Sequence, residues 1–337
     1  MADADILWVA DKREGAVPEP MEDIMANLDS YSRANLEDTK TILAGDTGFY
    51  IFTSGTTGMP KAAKVGQRRL LAAGSSFSKA GVRAKPSDRI YLCLPLFHGT
   101  GFICGVNSAI FSGASMFLRR KFWPEVKEHN CTIFFYVGEL CRYLVTQPPC
   151  PEEKNNPLDR VFGNGLRPDV WDEFKQRFGI DRVCEFYGSS EGNVSFINAF
   201  NKDKTIGYCP GTIILVEYDI ENDVIVTDQN GKLIQVEPGK PGLLLAEIDD
   251  RYRFDGYTDS AASESKIVRN MLTEGDAWFN TGDLINQIDV GFSMGKPHYQ
   301  FVDRVGDTFR WRSENVSTNE VGEILNANSQ EEIANVY

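Results

Sequence analysis

From Gly48 onward, short apolar runs alternate with amphipathic stretches, and that alternation limits the chain to few folds. Phe49-Tyr-Ile-Phe52, Arg89–Leu94, Ser115–Leu118, Cys131–Val137 and Val183–Tyr187 read as buried strands. Glu139–Thr146 and Val170–Phe178 lie between them with helical spacing. Strands interleaved with helices predict an α/β fold around a largely parallel sheet. After about residue 210 the texture changes. Thr212–Tyr218, Val224–Thr227 and Leu243–Glu247 are short β-rich pieces, and Asn230-Gly231 and Glu237-Pro-Gly-Lys-Pro-Gly242 separate them as turns. A small, mostly β subdomain is expected there. Residues 1–45 carry mixed charge, Pro18 and Pro20 and little periodicity, and read as a lead-in segment.

Ile90–Leu118 contains no Asp, Glu, Lys or Arg and is long enough to raise the question of a membrane span. Pro95, His98, Asn107 and several glycines interrupt it, so a buried strand, loop and helix is the expectation. Lys and Arg total 35 against 48 Asp and Glu, a formal charge of −13. That balance opposes a general nucleic-acid binder, which needs a basic surface. The seven cysteines show no CxxC pair and no secretory leader precedes them, so reduced thiols in a cytoplasmic protein are expected. The three histidines fall in neither HxxxH nor HExxH spacing, which argues against a zinc hydrolase.

The segment with the most chemistry is Thr53-Ser-Gly-Thr-Thr-Gly-Met-Pro-Lys61, directly after the first apolar run. Gly55 and Gly58 let backbone N–H groups approach an anion; Ser54, Thr56 and Thr57 add hydroxyl donors, and Lys61 adds charge. It is not a Walker A loop, because only two residues separate the glycines and Lys61 follows Met59-Pro60.

This string resembles the phosphate loop of the adenylate-forming superfamily, which includes acyl-CoA synthetases, luciferases and peptide-synthetase adenylation domains. Three later segments resemble that family's elements in the same order: Glu185-Phe-Tyr-Gly-Ser-Ser-Glu191, Asn280-Thr-Gly-Asp283, and Phe301–Arg310 at the family's hinge. CTIFFYVGELCRYL, GNGLR and DRVGDTFRWRSENVSTNEV are further similar to the fatty acid transport protein and very-long-chain acyl-CoA synthetase branch.

The resemblance implies part of an adenylate-forming large domain. Residues 46–210 would be an α/β nucleotide- and acyl-binding core, 211–303 a β-rich subdomain, and 304–337 a hinge and the start of a C-terminal lid. The reaction implied is ATP-dependent formation of an acyl-adenylate from a long-chain or very-long-chain fatty acid, followed by thioester formation with CoA. Thr53, Ser54, Gly55, Thr56, Thr57, Gly58 and Lys61 would grip the β- and γ-phosphates, and Thr56, Lys61, His98 and Glu191 would be catalytic. Glu191 would hold Mg²⁺, a hard cation suited to oxygen ligands. Tyr187, Gly188 and Ser190 would lie along the nucleotide, and Gly163, Asn164 and Gly165 would present backbone groups to the adenine edge. Asp283 would accept hydrogen bonds from the ribose hydroxyls, a role suited to its two acceptor oxygens. Arg304 would contact ribose or phosphate, His98 would sit near the acyl carboxylate, and Gly306 would be the hinge.

The same resemblance implies truncation at both ends and no lysine assignable to the lid. Ser313 stands where relatives often carry glycine, and Arg119–Trp123 runs into Pro124 where relatives have a few more residues. A catalytically silent nucleotide- or lipid-binding chain and an aryl-acid adenylating enzyme therefore stand as alternatives. Peripheral membrane contact and oligomeric state stay open at this stage.

Overall fold

The computed structural model describes residues 7–8, 22–23, 28–53, 61–119, 121–305, 308–311, 314–317 and 321. Residues 54–60, 306, 307 and 313, which include most of the expected phosphate strap and the hinge glycine, lie outside them. The chain forms two compact units, Met1–Leu43 and Ala44–Tyr337. In the first, β1 (Leu7–Trp8) pairs in parallel with β2 (Glu22–Asp23), and 3-10 turns follow at Leu28–Ser30 and Glu37–Lys40.

The second unit begins with an antiparallel hairpin, β3 (Thr47–Thr53) and β4 (Lys61–Gly66). The continuous apolar run of β3 suggests burial on both faces, but only Ile51 is buried, while Tyr50 and Phe52 are 54% and 73% exposed. Alternation along a strand sends neighbouring side chains to opposite faces, and one face of this hairpin carries no cover among the described residues.

A six-stranded sheet follows, built from β5 (Arg89–Leu92), β6 (Ser115–Leu118), β7 (Ile133–Val137), β8 (Arg160–Asn164), β9 (Arg182–Gly188) and β10 (Ser195–Ile197). Its order is β10-β9-β8-β7-β5-β6, parallel throughout except for β10 at one edge. Period-two alternation divides its side chains between two cores. Tyr91, Phe134, Tyr136, Val161 and Val183 pack against Trp171, Phe174 and Phe178 of the helix Pro168–Phe178. Ile90, Leu92, Ile133, Phe135, Phe162 and Cys184 pack on the other side with Phe77, Val82 and Cys104. Fully burying each large apolar side chain contributes roughly 1.5–3 kcal/mol, so these two cores hold the sheet rigid.

The uncharged stretch Ile90–Leu118 resolves into β5, a loop, a wide helical turn at Thr100–Val106 running into the helix Asn107–Ser112, and β6. Gly113, at φ 72°, ends that helix in the left-handed conformation that glycine adopts without strain. Among the described residues no helix is long and apolar enough to cross a membrane. All seven cysteines are free thiols.

The β-rich part contains β11 (Ile213–Val216), a small ribbon of β12 (Tyr218–Asp219) and β13 (Val224–Ile225), then β14 (Pro241–Glu247), β15 (Ile267–Arg269), β16 (Ala277–Ile288) and β17 (His298–Arg304). The order β11-β14-β16-β15, with β17 also on β16, makes an antiparallel sheet. A last hairpin pairs β18 (Thr308–Trp311) with β19 (Glu314–Ser317).

Candidate active site

In an open α/β sheet, ligands bind beyond the carboxyl ends of the parallel strands, where loops diverge. That is where a cleft of ≈ 2070 Å³ opens in this unit. Asn164 comes to it from the end of β8, Tyr187 and Gly188 from the end of β9, and His98 from the loop after β5. Ser190 and Glu191 follow on the loop after β9, while Asp283 and Arg304 reach it from the antiparallel sheet and Lys61 from the start of β4. Nine of the residues singled out from sequence thus line one cavity.

Register explains the first pairing. β16 and β17 place Asp283 opposite Arg304, although they lie 21 positions apart in sequence. Arg304 Nε stands 3.6 Å from Asp283 Oδ1. The arginine is largely exposed, so this ion pair by itself contributes little. Asp283 is bound more tightly on its other oxygen, where the Tyr187 hydroxyl donates to Oδ2. Burial pushes the Asp283 carboxyl above its ordinary range, and the Tyr187 hydrogen bond and the charges of Arg304 and Lys266 offset part of that push. Burial likewise raises the Tyr187 phenol, aided by the Asp283 charge. The Tyr187 ring is fixed edge-on to Phe196 at 5.5 Å and faces Phe301 at 6.3 Å.

A second cluster forms around Tyr257. Its hydroxyl donates to Glu191 Oε1 at 2.8 Å, and Lys61 Nζ lies 5.6 Å from its ring centroid. Lys61 and Glu191 therefore meet on the same aromatic side chain. Thr53 is the cross-strand neighbour of Lys61 along the backbone. Arg69, on the helix Gln67–Ser76, donates Nη1 to the Ser190 carbonyl at 2.6 Å and Nη2 to the Ser189 carbonyl, which pins the loop that carries Glu191. Burial lowers the Arg69 pKa, and nearby Asp255 and Glu191 counter it; a guanidinium stays charged through such a shift.

The third group is on the β5–β8 side. His98 Nδ1 accepts from the Thr100 N–H at 3.2 Å, so a neutral ring carries its proton on Nε2. Thr100 Oγ1 donates to Asn164 Oδ1 at 2.9 Å. Ala72, Ala73, Ser76, Phe77, Ile103 and Cys104 line an adjoining, more apolar wing of the cleft.

Two expectations need correction. Gly163 and Gly165 do not line the cleft; of that turn only Asn164 does. A Cβ at Gly163 would fall 2.3 Å from the Tyr136 carbonyl, so glycine is needed there for close strand packing. The Gly165 N–H, one of the backbone groups expected at the adenine edge, donates to the Glu185 carboxyl at 3.0 Å, as the Leu166 N–H does at 2.8 Å. Arg69, Tyr257 and Glu185 in turn have no assigned role in the sequence reading. Only Glu185 leaves a signal there, as a carboxylate inside the apolar run Val183–Tyr187.

Magnesium bound with nucleotides is commonly held by one or two carboxylates together with phosphate oxygens and water. Glu191, a cleft carboxylate that shares Tyr257 with Lys61, fits that mode. Among the described residues no group of three or more His, Cys, Asp or Glu side chains forms a protein-only metal site.

The chain is 44% identical over 322 residues to the medium/long-chain fatty-acid–CoA ligase FadD6 of Mycobacterium tuberculosis, covering 94% of this chain and 53% of that protein. It is 36% identical over 345 residues to the human long-chain fatty acid transport protein 3, covering 98% and 49% respectively. It thus spans about half the length of these curated relatives. The crystal structure of ATP-bound MatB from Rhodopseudomonas palustris superposes with a TM-score of 0.68 at 21% identity, over 85% of this chain and 54% of that one, which shows a shared α/β fold. The model of the AMP-binding enzyme family matches residues 7–253, and the chain belongs to that family.

Proposed function

We propose that this chain is the nucleotide-binding core of an ATP-dependent fatty acid–CoA ligase acting on long or very long acyl chains. The observation that carries this reading is the convergence, in one cleft, of a carboxylate–phenol pair and a lysine–carboxylate cluster beside an apolar wing. The relatives' names, a medium/long-chain fatty-acid ligase and a long-chain fatty acid transport protein, favour a fatty substrate. In this reading residues 46–210 bind nucleotide and acyl chain, 211–303 form the β-rich subdomain that carries Asp283, and 304–337 are the hinge and the start of a C-terminal lid.

The reaction is attack by a carboxylate oxygen on the α-phosphorus of ATP, with loss of pyrophosphate, and then attack by the CoA thiol on the acyl carbonyl, with loss of AMP. Negative charge builds on phosphoryl oxygens in the first step, so fixed cations and donors lower its barrier. Asp283, desolvated and fixed by Tyr187, accepts hydrogen bonds from the ribose diol and sets the nucleotide's depth. Lys61 and the strap hydroxyls Ser54, Thr56 and Thr57 take the β- and γ-phosphates, and Thr53, Gly55 and Gly58 shape the strap. Bound Mg²⁺ supplies charge neutralisation at the phosphates, and Glu191, oriented by Tyr257 and the Arg69-pinned loop, is the residue to hold it. His98 and Thr100 border the place where the acyl carboxylate enters. The apolar wing takes the chain, each buried CH₂ contributing roughly 0.8 kcal/mol.

The test is ATP–pyrophosphate exchange and hydroxamate trapping with a series of acids. Exchange that rises with acyl chain length supports the proposal. Exchange with benzoate but not palmitate favours an aryl-acid enzyme, and nucleotide binding with no exchange favours a silent binding protein. Lys61→Ala is expected to weaken ATP about tenfold and AMP less than twofold, because a phosphate-facing charge acts on groups that AMP lacks. Calorimetric titration of both nucleotides checks this; equal losses would make Lys61 a structural residue.

A further inference from the structure

The buried carboxyl of Glu185 is not used by the chemistry above, yet it joins three parts of the site wall. It is 3% exposed and sits on β9, two residues before Tyr187. Its Oε1 accepts from the Tyr136 hydroxyl of β7 at 2.6 Å and from the Leu166 N–H at 2.8 Å, and its Oε2 accepts from the Gly165 N–H at 3.0 Å. All three partners donate here, and the two backbone N–H groups can do nothing else, an arrangement that suits a carboxylate, which has only acceptors. A proton on Oε2 would face the Gly165 N–H with nothing to receive it. A proton on Oε1 could be received only by the Tyr136 hydroxyl, at the cost of the bond that hydroxyl now donates.

The turn held in this way is the one that carries Asn164 into the cleft, and the strand that holds it carries Tyr187 into the same cleft. Gly138 completes the arrangement: a Cβ there would fall 1.6 Å from the Gly165 carbonyl oxygen, so the turn sits directly against the start of the helix Gly138–Thr146. The geometry points to Glu185 as a positioning residue that locks the 164–166 turn to β9 and thereby sets the spacing of Asn164 and Tyr187 for an adenine nucleoside. This rests on the nucleotide reading above and deepens it.

A consequence is that nucleoside affinity follows the ionisation of Glu185. Burial pushes this carboxyl up to about 8, against the lowering effect of its three hydrogen bonds. The titratable groups around it are the Tyr136 phenol on β7 and the thiols of Cys141, on the following helix, and Cys184, on β9 itself. Burial pushes all three well above their ordinary values, so none changes charge while Glu185 does. Between the ordinary carboxylate range and about 8, the folded chain keeps a proton that the unfolded chain has released. Stability of the free chain therefore falls as pH rises across that window. Affinity rises over its upper end, because the ionised form accepts all three donors.

The experiment measures adenosine binding and urea unfolding from pH 6 to 9 for the wild type, Glu185→Gln and Tyr136→Phe. Adenosine has no group that titrates in this range, and Asp283 is present in every variant. The wild type should bind several-fold tighter at pH 9 than at pH 6.5. Glu185→Gln, whose amide presents a donor to a donor, should bind about tenfold more weakly at pH 9, the loss expected for one such hydrogen bond, and show a flatter profile in both binding and unfolding. Tyr136→Phe removes a hydrogen bond that lowers the Glu185 pKa, so its midpoint should move to higher pH; a purely structural role would leave the midpoint in place. If Glu185→Gln does not fold, Tyr136→Phe carries the test alone. Identical profiles in wild type and the folded variants overturn the positioning role while leaving the nucleotide reading intact. A wild type that binds neither adenosine nor ATP overturns both.

Discussion

Asp283→Ala is expected to cost this chain about a hundredfold in affinity for AMP, measured by calorimetric titration. The size follows from what is lost. A charged acceptor offers two hydrogen bonds to a ribose diol, and bonds to charged groups are each worth about 1.5–3 kcal/mol. Asp283 is 9% exposed, so water does not fill the gap freely. Tyr187 would keep its ring packing on Phe196 and Phe301 but lose the acceptor of its hydroxyl. Asp283→Asn keeps one oxygen acceptor and should bind with an intermediate affinity. The melting temperature should move little in either variant, because removing a buried carboxyl relieves the burial that raises its pKa. An alanine variant with unchanged AMP affinity would remove Asp283 from the site.

The second large effect is on folding. Gly138→Ala is expected to destabilise the chain by about 3 kcal/mol or more, since the added Cβ meets backbone rather than a movable side chain. That Cβ would lie 1.6 Å from the Gly165 oxygen and 2.3 Å from its carbon. Gly45→Ala, where a Cβ meets nothing within 4 Å, is the control and should be close to neutral. Urea unfolding of the two variants decides it. A Gly138→Ala midpoint equal to that of the control would mean that the 164–166 turn does not press on this helix.

Much of the parallel sheet was legible because its strands are continuous apolar runs, the pattern of a sheet covered on both faces. Cys131–Val137 and Val183–Tyr187 fall within a residue or two of β7 and β9. β3 misleads for the same reason: an apolar run cannot say whether a second layer covers it, and here Tyr50 and Phe52 face outward. β16 is the longest strand among the described residues, yet it is hard to see in sequence. Thr281-Gly-Asp283 breaks its alternation, and the register shift against β14, between Leu243 and Leu245, falls at Gly282, whose φ is 75°. Asp283 and Arg304 could be named from flanking motifs, but their pairing is a property of register between two strands and no local pattern encodes it.

The supporting residues were less legible than the residues they support. Tyr257 lies in the segment Asp255-Gly-Tyr257, which reads as an ordinary turn, and its link to Glu191 spans 66 positions. Arg69 reaches across 120 positions to the Ser189 carbonyl. Glu185 did carry a signal, since a carboxylate within an apolar strand must find donors or be neutralised. Gly163 looks like a ligand-facing glycine in sequence because close approach to a ligand and close approach to another strand require the same missing side chain, whereas Gly165 is needed for its φ of 81°.

A crystal structure of this chain with ATP and Mg²⁺ tests the central claim most directly. The account predicts the ribose diol within hydrogen-bond distance of Asp283 and the β- and γ-phosphates between Lys61 and Glu191, with the 54–60 strap over them. Nucleotide density outside this cleft, or a triphosphate directed away from Lys61 and Glu191, would contradict it.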